Sequence, residues 1–156
     1  MTKTFSPKMN ENKDKKIAII ASRFNDFITS RLVEGASGKL IEFGVSSKNI
    51  FIYWVPGSLE IPIMAQKIIK KIKPDALIAA GAVIRGETDH YNIVINESAK
   101  GVSGVSLATD TPILNAILTC DNIDQAVARS GVKAGNKGAE VAQATLELLS
   151  VIDQLK

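Results

Sequence analysis

The residues best suited to chemistry lie together at the end of an apolar run. The segment GAVIRGETDHY, residues 81–91, contains the only histidine of the chain, His90, just beyond a Gly86-Glu87-Thr88 turn. Imidazole changes its protonation state near neutral pH, so His90 is a candidate general acid–base. A turn that leads into a helix offers free backbone N–H groups, which favour an anion such as a phosphate ester. The segment therefore leaves a small phosphate ester as one possible ligand, with His90 as a candidate proton donor or acceptor beside it.

Simpler interpretations of these residues limit the chemistry. His90 is also compatible with a surface residue at a helix end, and there is no second histidine to form a metal-binding cluster. The glycines are not followed by Lys-Ser/Thr as in a Walker loop, and G-x-G-x-x-G is absent. Cys120 has no basic partner nearby in sequence, so we expect a small buried residue. We therefore predict no metal and no nucleoside triphosphate site.

Alternating strand and helix patterns place these residues at one edge of a sheet. Continuous apolar runs predict four strands, at 17–21, 50–55, 76–84 and 112–119. Helical spacing predicts helices at about 27–43, 58–72, 91–108, 122–131 and 138–154. This alternation indicates one α/β domain, a three-layer α/β/α sandwich with a four-stranded parallel sheet. The carboxyl ends of parallel strands share one edge, where open α/β sheets bind ligands.

Polar residues follow the other predicted strands as well. Phe24 and Asn25 come after the first, and Ser58 and Glu60 come after the second. Phe24 also suits a core position, and Glu60 also suits a helix dipole. We expect Ser58 to cap the helix that begins there.

Two later features carry weaker signals. Arg129 and Lys137 are candidate partners of a phosphate, or ordinary solvated charges. We expect Gly101 and Gly104 to loosen the third long helix.

Composition excludes several classes of protein. The 156 residues are 46% hydrophobic, which suits one domain, but no apolar run is long enough for a membrane span. The polar N-terminus does not resemble a signal peptide, and a single cysteine suits a reducing compartment, so we expect a cytoplasmic protein. The net charge of +3 arises in lysine-rich residues 1–16, which predict a flexible arm. We expect no nucleic-acid partner and no membrane association.

Four segments in this order resemble the lumazine synthase family: RFN (23–25), WVPGSLEIP (54–62), GAVIRGETDHY (81–91) and GVKAGNKG (131–138). The similarity extends from about Ile17 to the C-terminus, which divides the chain into an arm, 1–16, and a domain, 17–156. It implies a flavodoxin-like strand order. It also implies condensation of 5-amino-6-ribitylaminouracil with 3,4-dihydroxy-2-butanone 4-phosphate to 6,7-dimethyl-8-ribityllumazine, without metal or organic cofactor.

The resemblance also implies roles for individual residues. His90 and Arg129 would be catalytic, His90 by shuttling protons and Arg129 by binding phosphate from a neighbouring subunit. Phe24 would stack on the pyrimidine. The substrate-binding set that it implies is Phe24, Asn25, Ser58, Leu59, Glu60, Val83, Ile84, Gly86, Glu87, Thr88, Asn115 and Lys137.

Two residues of that set raise questions. Asn115 stands where family members often have an aromatic residue, and Glu87 places a carboxylate beside the expected phosphate. Asn115 cannot stack as a phenyl ring does, so ring affinity would be weaker or the orientation different. Glu87 must point away from the phosphate or be offset by Arg129.

A site shared between subunits implies a homopentamer. The compact GVKAGNKG connection favours a sixty-subunit icosahedral shell, with the free pentamer as alternative, and association with riboflavin synthase is a further expectation. The arm before Ile17 would add a strand to a neighbour's sheet.

Two other functions compete with this one. A protein of the same fold could hold a flavin or pteridine without turnover, but it would not need His90 and Arg129. A flavodoxin-like electron carrier would need a phosphate loop rich in Ser, Thr and Gly after the first strand, and SRFNDF does not provide one.

Overall fold

The computed structural model describes residues 1–9, 11–131 and 135–156 and contains one parallel sheet. The strands are β1 (Ile17–Ser22), β2 (Ile50–Val55), β3 (Ala76–Ile84) and β4 (Ile113–Cys120), in the order β2-β1-β3-β4. In register, Ile17 pairs with Ile50 on one side and with Ala76 on the other. The predicted four-stranded parallel sheet is thereby confirmed.

Helices cover both faces of this sheet. Within the described residues they are α1 (Asp26–Glu42), α2 (Ile61–Ile72), α3 (His90–Thr109), α4 (Ile123–Arg129) and α5 (Lys137–Asp153). Short 3₁₀ turns occupy Ser47–Asn49 and Ser58–Glu60. One core cluster joins Ile17, Ile19 and Ala21 to α1, α4 and α5, and the other joins Ala18 and Ile20 to α2. Val102 of α3 belongs to the second cluster, so the α/β/α sandwich is confirmed.

The central strands explain why the apolar runs are continuous rather than alternating. All six residues of β1 are buried, because neighbouring residues face opposite helical layers.

At β4, which lies at one edge of the sheet, main-chain N–H groups also donate hydrogen bonds to side chains. The N–H of Ile113 donates to Ser106 Oγ at 3.2 Å, and the N–H of Ile117 donates to Asn115 Oδ1 at 2.7 Å.

The predicted cap at Ser58 is wrong. The α-helix begins three residues later, at Ile61, with Pro62 in its first turn, and Ser58 makes no capping hydrogen bond. Ser58 instead belongs to the 3₁₀ turn and is buried, where a β-carbon placed on Gly81 would lie 2.8 Å from its hydroxyl oxygen. Proline fits the first turn of a helix without loss of a hydrogen bond, which favours the later start.

The glycines of the third long helix do not break it, because α3 continues through both of them to Thr109, and their expected loosening effect stays a prediction. Gly101 has a packing role: a β-carbon there would lie only 2.5 Å from Cγ of Pro62. The absence of a side chain lets α3 lie against the start of α2. Gly104 has no atom within 4 Å of such a β-carbon.

Residues 11–16 contact the body of the same chain. Asn12 is buried and its Nδ2 donates to the carbonyl oxygen of Phe43 at 2.9 Å. Lys15 and Lys156 both bind the carboxylate of Asp153, and these hydrogen bonds hold the pKa of Asp153 below its ordinary value. The division into arm and domain stays a prediction. None of the helices in the described part of the chain is long and apolar enough to cross a bilayer.

Candidate functional site

A cavity of about 540 Å³ lies at the carboxyl ends of β1, β2 and β3, where the sequence predicted it. Its lining includes His90, Tyr91 and Val94 at the start of α3. The substrate-binding residues expected from sequence that line it are Phe24, Asn25, Ser58, Leu59, Glu60, Val83, Ile84, Gly86 and Thr88. Three separate turns therefore meet around one space.

The turn after β1 presents an aromatic ring at the mouth of the cavity. Backbone hydrogen bonds from Arg23 N to Val55 O (2.7 Å) and from Phe24 N to Pro56 O (3.0 Å) fix it to the end of β2. Asn25 has a left-handed backbone, and its Nδ2 donates to Ala82 O at 2.8 Å. The side chain of Phe24 is 74% exposed, which excludes a core role and leaves a flat face for stacking.

The turn after β2 supplies oxygen atoms. Ser58 is buried beside β3, whereas Glu60 is exposed at the start of α2. A β-carbon on Gly57 would lie 3.0 Å from Oε2 of Glu60, so the carboxylate lies over its own turn. A hydroxyl and a carboxylate on one turn suit a ligand that carries several hydroxyl groups.

The connection after β3 leads directly into α3. Gly86, Glu87 and Thr88 are exposed, and Thr88 Oγ1 accepts a long hydrogen bond of 3.4 Å from the N–H of His90. His90 is the first residue of α3, one position earlier than expected. Backbone N–H groups at the beginning of a helix favour an anion, so the placement suits a phosphate. Glu87 does not line the cavity.

Arg85 is a residue of this region that the sequence argument passed over. Its Nε donates to Asp121 Oδ1 at 3.0 Å, and its guanidinium carbon lies 4.4 Å from the centre of the Tyr91 ring. In the sequence, the indication of this pair was an arginine directly after β3 and an aspartate directly after β4, the strand that pairs with β3.

Arg129 and Lys137 lie elsewhere, at a second cavity of about 560 Å³ beside β4. Arg129 Nη1 donates to the carbonyl oxygen of Gln125 at 3.1 Å, and Lys137 Nζ lies 3.8 Å from Glu140 Oε2. Within one chain these cations therefore do not join His90. Asn115 is exposed on β4 and lines neither cavity.

The remaining reactive groups offer little chemistry. Cys120 is buried, and desolvation raises the pKa of its thiol against a smaller opposing effect of Arg129. A thiol with a raised pKa is a poor nucleophile. Among residues 1–9, 11–131 and 135–156, no group of three or more His, Cys, Asp and Glu side chains is arranged to hold a metal ion.

The fold and the first cavity define a single-domain α/β protein with a cavity of small-molecule size at the carboxyl edge of a parallel sheet, where proteins of this architecture bind ligands. Residues 14–153 match the family model of 6,7-dimethyl-8-ribityllumazine synthase. The chain is 49% identical over 152 residues to the 6,7-dimethyl-8-ribityllumazine synthase of Leuconostoc mesenteroides subsp. mesenteroides, with 97% of each chain covered. The chain therefore belongs to the 6,7-dimethyl-8-ribityllumazine synthase family.

Proposed function

We propose that this chain condenses 5-amino-6-ribitylaminouracil with 3,4-dihydroxy-2-butanone 4-phosphate and releases 6,7-dimethyl-8-ribityllumazine, phosphate and water, the reaction of its family. The observation that carries the proposal is the cavity itself. It combines an exposed phenyl ring, oxygen atoms, a helix N-terminus and the only imidazole of the chain. Each of these features suits one part of the two substrates.

The residues divide between the substrates by their chemistry. Phe24 stacks on the pyrimidine ring, and the side chains of Asn25, Ser58 and Glu60 bind the hydroxyl groups of the ribityl chain. Main-chain groups of Val83 and Ile84, at the end of β3, hold the polar edge of the ring. Leu59, 40% exposed at the cavity, adds apolar contact.

The phosphorylated ketone binds at the start of α3. Main-chain N–H groups of Gly86, Glu87 and Thr88 hold its phosphate, and the Glu87 side chain stays outside the cavity. His90 then moves protons while the ring amine condenses with the ketone and releases water, phosphate is eliminated, and the second ring closes with loss of a second water. The proximity of the two bound substrates supplies much of the acceleration.

The second cavity belongs to the site of a neighbouring subunit in this proposal. Arg129 neutralises the phosphate bound by the next chain, and Lys137 contacts the carbonyl side of its pyrimidine. A ring of five subunits completes every site. Asn115, on the same strand as the wall of the second cavity, accepts a main-chain hydrogen bond in place of stacking.

Exposed apolar residues support an assembly of this kind. Side chains of Phe27, Ile52, Trp54, Ile93 and Leu107 are between 44% and 85% exposed on the single chain. Large apolar side chains that are exposed on one chain are available for burial against a neighbouring subunit. We place the assembly in the cytoplasm, as a pentamer or an icosahedral shell, with riboflavin synthase as a candidate partner. The 132–134 part of the GVKAGNKG connection lies outside the described residues.

The decisive experiment mixes the purified protein with both substrates. We expect lumazine absorbance and inorganic phosphate to rise together in equal amounts. Each substrate alone should yield neither signal above the uncatalysed rate. Tight binding of the pyrimidine without any turnover would instead support a flavin- or pteridine-holding protein.

A further inference from the structure

We propose that Arg85 is a positioning residue, which fixes the connection between β3 and α3 and thereby places His90 and the phosphate-binding turn. The inference rests on the site proposed above. It concerns three side chains to which no role has been given, Arg85, Tyr91 and Asp121. Arg85 acts through the shape of the connection and does not contact substrate.

Within one chain the connection is not held by burial, so its own side-chain contacts must restrain it. Arg85 to His90 are six consecutive exposed residues, whereas the first seven residues of β3 are buried. A segment of this kind opens at low free-energy cost unless its ends are tied together. Catalysis requires the opposite, because reacting groups must be held to within a fraction of an ångström.

Arg85 and Tyr91 close the connection at its base. The main chain leaves β3 at Arg85, whose N–H donates to Cys120 O at 2.8 Å, and it is buried again at Tyr91, which is 7% exposed. The guanidinium of Arg85 stacks over the Tyr91 ring with its carbon 4.4 Å from the ring centre. The residue before the turn thus contacts the residue directly after His90.

Asp121 sets the orientation of the guanidinium. Its Oδ1 accepts from Arg85 Nε at 3.0 Å, while its own N–H donates to Gln125 Oε1 at 2.8 Å. The aspartate is therefore anchored to α4 and gives the planar group of Arg85 a fixed direction. The side chains of Arg85 and Asp121 are 48% and 64% exposed, so their attraction contributes little to stability, and the value of the pair is geometric.

Four variants test the role in the assembled protein. Arg85→Met removes the planar charge, Arg85→Lys keeps the charge without the plane, and Asp121→Ala removes only the orienting acceptor. Arg31→Met, which removes an exposed arginine of α1, is the matched control. For each variant we would measure kcat, the KM of both substrates and the thermal midpoint.

We expect Arg85→Met to raise the KM of the phosphorylated ketone and to lower kcat, with a combined loss of about ten- to a hundredfold. The KM of the pyrimidine should change by less than about threefold, because Phe24 and the β2 turn are held independently. Arg85→Lys should not rescue activity, since lysine cannot stack as a plane. Asp121→Ala should act in the same direction with a smaller effect.

Several results would overturn the proposal. If Arg85 touched the phosphate directly, Arg85→Lys would rescue in part and Asp121→Ala would leave the KM unchanged or lower it. Arg85→Met kinetics equal to those of Arg31→Met would also exclude the role, as would an equal loss for both substrates that tracks thermal stability. An inactive wild-type protein would instead refute the proposed function, so the two failures are distinguishable. Arg85→Lys and Asp121→Ala retain the test if Arg85→Met does not fold.

Discussion

At the scale of single residues, His90 is the candidate catalytic residue whose mutation should least disturb the fold. Its side chain is exposed at the start of α3, so its removal should not disturb packing. We expect His90→Ala to fold normally and to slow turnover by roughly 10- to 10⁴-fold, the usual range for a general acid–base. Single-turnover measurements beside thermal unfolding would show this. Unchanged rates would remove His90 from the chemistry, whereas complete inactivity is not expected because proximity survives.

The roles of Arg129 and Lys137 can be distinguished by the substrate whose binding each mutation weakens. A guanidinium grips phosphate through two donors, whereas an ammonium acts as a point charge. Arg129→Ala should weaken binding of the phosphorylated ketone more than that of the pyrimidine. Lys137→Ala, the matched change at the same cavity, should show the reverse preference. Titration of each variant with each substrate gives the answer, and an exchanged pattern would reassign both residues.

At the scale of helices and strands, two glycines of α3 form a matched pair. A β-carbon on Gly101 would lie 2.5 Å from Pro62 Cγ, whereas one on Gly104 would have no atom within 4 Å. We expect Gly101→Ala to destabilise the protein by about 1–3 kcal/mol through overpacking. Gly104→Ala should stabilise it by roughly 0.5–1 kcal/mol.

Urea unfolding of both alanine variants measures these effects. A Gly101→Ala/Pro62→Ala double variant should recover part of the loss, because the clashing ring is gone. Equal effects at Gly101 and Gly104 would contradict the close contact between α2 and α3.

The ion pairs of α5 predict an acid dependence of stability. Hydrogen bonds from Lys15 and then Lys156 lower the pKa of Asp153 in the folded chain. A carboxyl group with a lowered folded pKa contributes stability that is complete above its unfolded pKa of about 4 and is lost as pH falls through the folded pKa. Both partners are partly exposed, so the contribution should be small and screened by salt.

Urea unfolding between neutral and acid pH tests this dependence. We expect Asp153→Asn to be less stable than the parent at neutral pH, with the gap closing at acid pH. Lys15→Met should reproduce part of the change. A gap that widens as pH falls would give the opposite sign and exclude the assignment.

Most of the fold was predictable at this scale, and the reasons are physical. Strands buried on both faces appear as continuous apolar runs such as ALIAAGAVI, so all four were located to within a residue. The start of α2 was misplaced because Ser58 resembles a cap in sequence, although tertiary packing against β3 decides its position. The family motifs identified most residues around the first cavity. Arg85 was missed because its partners, Tyr91 and Asp121, come together only after folding.

At the scale of the whole molecule, the question is how many chains make one active unit. His90 and Arg129 line different cavities of the same chain, so the proposed site is incomplete in a monomer. We expect light scattering and negative-stain microscopy of the native protein to show rings of five or uniform hollow spheres. Discrete small rings would leave only the pentamer. An active monomer would refute the shared site.

At the β4 edge of the sheet, side chains of the same chain bind two of the outward main-chain N–H groups. The carbonyl oxygen of Cys120 accepts from Arg85 on the β3 side, so alternate residues of β4, among them Ile113 and Ile117, point their N–H groups outwards. Ser106 and Asn115 already occupy both donors, and an incoming strand would have to displace them. By the same alternation the main-chain N–H and C=O groups of Ile52 and Trp54 on β2 point away from β1, because the carbonyl oxygen of Val55 accepts from the N–H of Arg23 on the β1 side. Adding a strand to the β4 edge would therefore break two hydrogen bonds that the chain already makes, a cost that blunts this edge against pairing with another chain.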